Sequence, residues 1–265
     1  EHVLAEARQL ADSGVKELIV IAQDITRYGM DWDGKPHLAD FLEELCKLDF
    51  HWIRLHYLYP EWIDDRLIDV IAREDKILKY LDIPLQHCND KILKKMNRRG
   101  DKKYLCALLD KLRERIPGLV LRTSIIAGLP GEGEEEFDEL CDFLREQKLL
   151  RAGVFPYSPE EGTRAAKMER VDSDEAARRA ERIVDIQSEI IDAWNDERQG
   201  DVMEVLCEGF DGQSMLFVGR SYAESPDIDG RIYFSAPRDV AAGEFVPVRI
   251  TGAMDGELTG ELAEE

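Results

Sequence analysis

The sequence predicts an α/β protein: a six-stranded partial parallel barrel with its first strand missing, followed by a small antiparallel all-β barrel of OB-like size. Three observations carry this. Helical patterns and apolar runs alternate five times before residue 160, at spacings of roughly 30 to 40 residues. The apolar runs are continuous, as parallel strands covered on both faces require. After Gly200 the pattern changes to short strands separated by Gly, Asp and Pro.

In chain order, Val3, Leu4, Ala7, Leu10 and Ala11 mark a helix that ends at Gly14, a residue suited to a helix C-terminus. The strand Leu18-Ile19-Val20-Ile21-Ala22 follows. A second helix (Leu38, Phe41, Leu42, Leu45) leads into Trp52-Ile53-Arg54-Leu55-His56-Tyr57. A third, from Trp62 to Ala72, leads into Tyr80-Leu81-Asp82-Ile83-Pro84-Leu85. Helical stretches 89–97 and 101–116 precede the strand 120–126, and a helix at 134–147 precedes Gly153-Val154-Phe155-Pro156-Tyr157. Residues 172–199 read as one long charged helix with an apolar face. Short strands are expected at Val202–Cys207, Met215–Val218, Arg231–Phe234, Phe245–Ile250 and Glu257–Leu262. The expected domains are therefore a barrel at 1–165, a linking helix packed on it at 166–199 and the small barrel at 200–265.

Composition narrows function. With 44% hydrophobic and 34% charged residues, the chain supports a core and does not resemble a disordered one. No run of 18 apolar residues exists, so no membrane-spanning helix is expected. The acidic, helical N-terminus is neither a signal nor a transit peptide, and its start without Met suggests part of something longer. A net charge of −21 repels nucleic-acid phosphate and attracts basic partners. Cys46, Cys88, Cys106, Cys141 and Cys207 lie far apart and are odd in number. That argues against a disulfide framework or a zinc site and fits a reducing cytoplasm.

The polar residues within the strands point to a site. Arg54 and His56 share a strand face, as do Asp82 and Gln86, and Arg122 and Ser124; Gln23 and Asp24 follow the first strand. Buried polar groups need partners, and these cluster at the carboxyl ends, where parallel barrels place their sites. Mutual pairing within a core is the competing explanation. The Gly-rich loop Ile126-Ala127-Gly128-Leu129-Pro130-Gly131-Glu132-Gly133 is neither a Walker A motif nor a Gly-x-Gly-x-x-Gly motif. It reads equally as a close backbone approach to a ligand or as a tight turn.

Leu81-Asp82-Ile83-Pro84-Leu85-Gln86-His87-Cys88-Asn89-Asp90, with Ile92-Leu93-Lys94-Lys95-Met96-Asn97-Arg98 after it, resembles the radical S-adenosylmethionine methylthiotransferases. The stretches 122–132 and 155–163 agree, and the C-terminal barrel is similar to a TRAM domain. Ala22-Gln23-Asp24-Ile25-Thr26-Arg27-Tyr28-Gly29, Arg54 to Pro60 and Gly219-Arg220-Ser221-Tyr222-Ala223 resemble the branch that methylthiolates an aspartate of ribosomal protein S-twelve.

The resemblance implies S-adenosylmethionine and two four-iron four-sulfur clusters in the whole enzyme, with an electron donor as a further partner. One cluster cleaves S-adenosylmethionine to a radical that takes hydrogen from the aspartate β-carbon. The second helps to deliver sulfur, and another S-adenosylmethionine gives the methyl group. With the strand positions, it assigns Gln23, Asp24, Gln86, Arg122, Ser124, Gly128 and Phe155 to the cofactor, and Arg54, His56 and Tyr157 to the substrate side. Phe155 offers adenine an apolar face, and Asp24, Gln86 and Ser124 hydrogen-bond the ribose or amino-acid moiety.

The sequence departs from the family in lacking the Cys-x-x-x-Cys-x-x-Cys motif and the separate N-terminal domain. It reads as a shortened piece of an enzyme, with no cluster, no bound S-adenosylmethionine and no turnover expected of it alone. Two alternatives stay open: a transfer-RNA adenosine methylthiotransferase of the same family, and a cluster-less module that docks on ribosomal components. Residues 197–265 hold 15 Asp and Glu against 5 Arg and no Lys. That favours a basic protein over RNA as the partner of the small barrel.

Overall fold

The computed structural model describes residues 2–263. It divides into two compact units, Glu1–Gln187 and Ser188–Glu265.

In the first unit, α1 (His2–Asp12) buries Ala7 and Ala11 and leads into β1 (Glu17–Val20). A short α2 (Met30–Asp33) and α3 (Leu38–Leu45) precede β2 (Trp52–Leu55). Next come α4 (Asp65–Arg73) and β3 (Ile77–Asp82), then α5 (Asp90–Lys95), α6 (Lys102–Arg115) and β4 (Val120–Ala127). Helix α7 (Glu134–Gln147), β5 (Arg151–Pro156) and α8 (Ser173–Glu197) follow. The five strands pair in chain order, all parallel. Ile53, Leu55, Ile77, Leu81 and Ile125 are wholly buried between sheet and helices. They give the sheet its stability through apolar burial.

Several boundaries differ from the sequence reading by a few residues, and two of them have a clear local cause. The third helix begins at Asp65, because the Asp64 carboxylate takes the Leu67 N–H at 2.8 Å as an N-cap. Trp62 belongs instead to a 3-10 turn, Pro60–Trp62. Strand β3 ends at Asp82, since Pro84 has no N–H to offer a ladder. The pairing resumes as an isolated bridge between Gln86 and Ile125.

The unit boundary falls within α8, at Gln187 and Ser188. In the first unit α8 buries Ala176, Ile183 and Ile186. In the second, Trp194 packs on the core of the small barrel.

The second unit holds β6 (Val202–Asp211), β7 (Leu216–Arg220), β8 (Ile232–Ser235), β9 (Phe245–Met254) and β10 (Glu257–Leu262). They close in the order β10-β8-β7-β6-β9. The sequence reading was antiparallel throughout, but β8 and β10 pair in parallel. A closed ring with an odd number of strands must contain at least one parallel pair. Val205, Ile232, Phe234 and Val248 fill the interior. A Cβ on Gly219 would stand 2.4 Å from the Leu206 carbonyl, so the strands approach there as only glycine allows.

Candidate functional site

Register aligns the polar strand residues in two groups, on β1–β2 and on β3–β5, with a register shift between Ile53 and Leu55 where the groups meet. Ile19 pairs with Arg54, Asp82 with Arg122, Arg122 with Arg151, Ser124 with Gly153 and Ile126 with Phe155. Parallel partners point to the same face, so the residues of each group share one. On β4, Thr123, Ile125 and Ala127 are buried on the other face, while Arg122, Ser124 and Ile126 are partly open.

Both groups are wired by charge. Arg54 Nε donates to Glu17 Oε1 at 2.7 Å, with both side chains buried, and its guanidinium lies 4.8 Å from the centre of the Tyr80 ring. Arg122 donates to Asp82 Oδ1 at 2.9 Å. His56 Nδ1 stands 3.5 Å from the other Asp82 oxygen. That oxygen is buried without a hydrogen bond among the described residues.

The carboxyl ends of the strands are apolar and open. Ile21 after β1 is 60% exposed, Tyr57 after β2 37% and Phe155 in β5 53%. Large exposed apolar groups at this end of a parallel sheet mark a binding mouth. Phe155 folds back over Gly153, where an added Cβ would lie 3.2 Å from the ring and 3.4 Å from an Arg122 nitrogen. The glycine keeps open the space beside ring and guanidinium.

The expected site residues fall into several settings. Arg122, Ser124 and Phe155 stand together on the open face. Gln86 lies beyond the end of β3, in the isolated bridge to Ile125, with φ 70°; its N–H donates to Ser124 O, and its carbonyl accepts from Ile126 N. A non-glycine residue held there stores about 1 kcal/mol or more of backbone strain. Tyr157 is half-buried, and its N–H donates to Ala127 O. Gln23 and Asp24 line a groove of about 560 Å³ with Arg27, Tyr59, Glu61 and Trp62. Asp24 Oδ1 also caps the following turn through Thr26 N at 3.0 Å. Arg54 and His56 are both buried, Arg54 in its pair with Glu17. Gly128 approaches protein: its Cβ would stand 2.5 Å from Ala176 Cβ of α8.

Sequence reasoning missed what fixes the Gly-rich loop. Glu132, buried, accepts from Gly128 N and from Arg179 of α8, both at 2.9 Å, and faces His87. Glu132 stands within the quoted loop and His87 beside Gln86, but nothing in one dimension places Arg179 with them.

Residues 1–144 match the Radical SAM superfamily, and residues 200–263 match the TRAM domain. The chain belongs to the radical SAM superfamily. Among curated relatives, the "Ribosomal protein uS12 methylthiotransferase RimO" of Symbiobacterium thermophilum is 47% identical over 268 residues, covering 100% of this chain and 55% of that protein. The protein of the same name from Pelotomaculum thermopropionicum is 48% identical over 265 residues, covering 98% and 60%. That from Myxococcus xanthus is 47% identical over 268 residues, covering 100% and 56%. The chain thus spans somewhat more than half the length of these relatives. Among solved structures, the radical SAM enzyme coproporphyrinogen III oxidase of Escherichia coli aligns with TM-score 0.48 and 21% identity, over 59% of this chain and 39% of that one.

Radical SAM membership implies S-adenosylmethionine and a four-iron four-sulfur cluster. The open face fits the first: it has an exposed ring, a glycine gap, a carboxylate-held guanidinium and an unsatisfied buried oxygen on Asp82. The cysteines present do not fit the second. Burial pushes the Cys46 thiol up to about 11 and raises those of Cys88, Cys106, Cys141 and Cys207, which keeps them protonated. Among the described residues, no group of three or more His, Cys, Asp or Glu is placed to hold a metal. No helix among them is long and apolar enough to cross a membrane.

Proposed function

We propose that the protein containing this chain transfers a methylthio group to the β-carbon of an aspartate in ribosomal protein S-twelve. Identity of 47–48% across almost the whole chain to proteins named for that reaction carries the reading. S-adenosylmethionine, when bound, supplies the hydrogen-abstracting and methyl-donating chemistry.

The chain's own residues bind and orient. Phe155 covers the adenine, and Gly153 leaves room beside it. Ser124, Gln86 and Asp24 hydrogen-bond the ribose or amino-acid moiety, with Gln23 beside Asp24. Arg122, held by Asp82, offers a fixed cation. Gly128 acts at one remove, by seating the loop on α8. On the substrate side, Tyr157 reaches the target segment, while Arg54 and His56 keep the floor of the sheet rigid through Glu17 and Asp82.

In the whole protein, two four-iron four-sulfur clusters and an electron donor complete the chemistry, and the five cysteines of this chain hold neither cluster. The acidic small barrel faces the basic substrate. Two of its four arginines are neutralised, Arg220 on Glu208 and Arg238 on Glu244, both at 2.6 Å, and Arg231 and Arg249 stand exposed and apart in sequence. That leaves little for RNA phosphate on this barrel. A reducing cytoplasm, where ribosomal proteins reside, suits free thiols.

Disrupting the gene of the full protein tests the reading. The methylthio group should vanish from the S-twelve aspartate while transfer-RNA nucleosides keep theirs. Loss from transfer RNA alone contradicts it.

A further inference from the structure

Residues 91–103 invert the charge of the chain. Seven of its 35 Lys and Arg fall there, against one acidic residue, Asp101, in a chain of net charge −21. The segment comprises most of α5, the turn after it and the start of α6. Its fold is fixed from inside. Ile92 and Leu93 are buried, and Arg98 donates to Pro84 O at 3.0 Å while lying 5.0 Å from the centre of the Tyr59 ring. Lys91 and Lys102 are paired, with Glu136 at 2.9 Å and Glu139 at 3.2 Å.

Four cations remain. Lys94, Lys95, Arg99 and Lys103 are exposed and have no carboxylate at ion-pair distance among the described residues. Arg99 lies over Trp62, 5.6 Å from the ring centre, a stacking that leaves the guanidinium N–H groups free for another partner. Tyr104, 38% exposed, stands against the Gly100 turn between them. Four uncompensated like charges repel one another, and a polyanion laid across them relieves that repulsion.

We infer that this strip binds the phosphate backbone of RNA beside the protein substrate, so that the aspartate is reached in its RNA-bound setting. The inference rests on the ribosomal-protein reading above. Lys and Arg are the side chains that take phosphate, and Tyr104, the exposed ring beside them, offers stacking to a base. An acidic protein would use the charges and leave that ring idle. The strip follows the carboxyl end of β3, the end where Gln86 and the exposed ring of Phe155 stand. A ribosomal protein is surrounded by phosphate, so an enzyme closing on one meets RNA at the rim of its site.

The test is fluorescence anisotropy of a fluorescein-labelled RNA stem-loop titrated with the full-length protein across a salt series. Wild type binds with a steep salt dependence. In the Lys94→Gln/Lys95→Gln/Arg99→Gln/Lys103→Gln variant, the slope of log affinity against log salt becomes shallower by about 3, and low-salt affinity falls at least about tenfold. A Lys94→Arg/Lys95→Arg/Lys103→Arg variant keeps the wild-type slope, which separates lost charge from lost folding. An unchanged slope in the glutamine variant overturns the inference, as does tighter binding of labelled poly-glutamate than of RNA. Methylthiolation of S-twelve is read separately. Modification together with an unchanged slope sinks this inference alone. A lost slope with no modification of S-twelve supports the RNA-binding strip and sinks the ribosomal-protein reading.

Discussion

His87 Nε2 and Glu132 Oε2 face each other at 3.3 Å with neither side chain exposed. His87 Nδ1 accepts the Asn89 N–H at 2.9 Å, which leaves the ring proton on Nε2, toward the carboxylate. Through Glu132 the same contact reaches Arg179, so the turn after β3, the Gly-rich loop and α8 are locked at one point.

Replacing Glu132 with Ala should cost about 1 to 3 kcal/mol, because it leaves the buried Gly128 N–H and His87 without their carboxylate, while Arg179 keeps Glu175 and Glu134, both at 2.9 Å. Burial pushes the Glu132 carboxyl up, but the facing His87 and hydrogen bonds from Arg179 and the Gly128 N–H outweigh it and hold the group below its usual range. A depressed carboxylate stabilises the fold above its unfolded pKa and loses that contribution as pH falls through its folded pKa. Thermal melts should therefore show the full gap between wild type and variant at neutral pH, and a narrowing gap below about pH 4. A gap independent of pH would remove the ionised carboxylate from this account.

Gly128 and Gly34 both have positive φ, yet only Gly128 is crowded. Gly34→Ala should cost about 1 kcal/mol, the strain of a left-handed backbone. Gly128→Ala adds a clash with Ala176 of α8 and should cost about 3 kcal/mol or more. Chemical denaturation of the two variants compares them directly; equal losses would mean that α8 yields.

Phe155 is half-exposed, so Phe155→Ala should change stability by less than about 1 kcal/mol. In the reconstituted full-length enzyme it should weaken S-adenosylmethionine binding by about tenfold, as loss of one stacked ring does. Gly153→Leu should do the same by filling the gap. Calorimetric titration reads both, and unaltered affinity in both would move the cofactor elsewhere.

Much of this was legible in the sequence, and for identifiable reasons. Parallel strands such as Ile53–Leu55 and Val120–Ala127 are apolar on both faces, so their polar residues stand out; Arg122 and Ser124 do lie on one open face. The Arg54 and His56 settings were not legible, because burial depends on Glu17, Tyr80 and Asp82 arriving from other strands. Gly128 had two readings in one dimension, and only the nearby Ala176 gives it a packing role. The parallel closure of β8 on β10 follows from ring topology and has no local signal.

An acidic small barrel should speed the encounter of the full-length protein with S-twelve at low salt. The association rate should fall about tenfold or more as salt rises toward 0.5 M. A flat salt profile in stopped-flow mixing would show that charge plays no part.

The most direct measurement is mass spectrometry of S-twelve after incubation with the reconstituted full-length enzyme, a reductant and S-adenosylmethionine carrying a deuterated methyl group. The account predicts a labelled methylthio group in place of one hydrogen on the β-carbon of a single aspartate, abolished when Arg122 is replaced by Met. Unmodified S-twelve alongside labelled transfer RNA would contradict it.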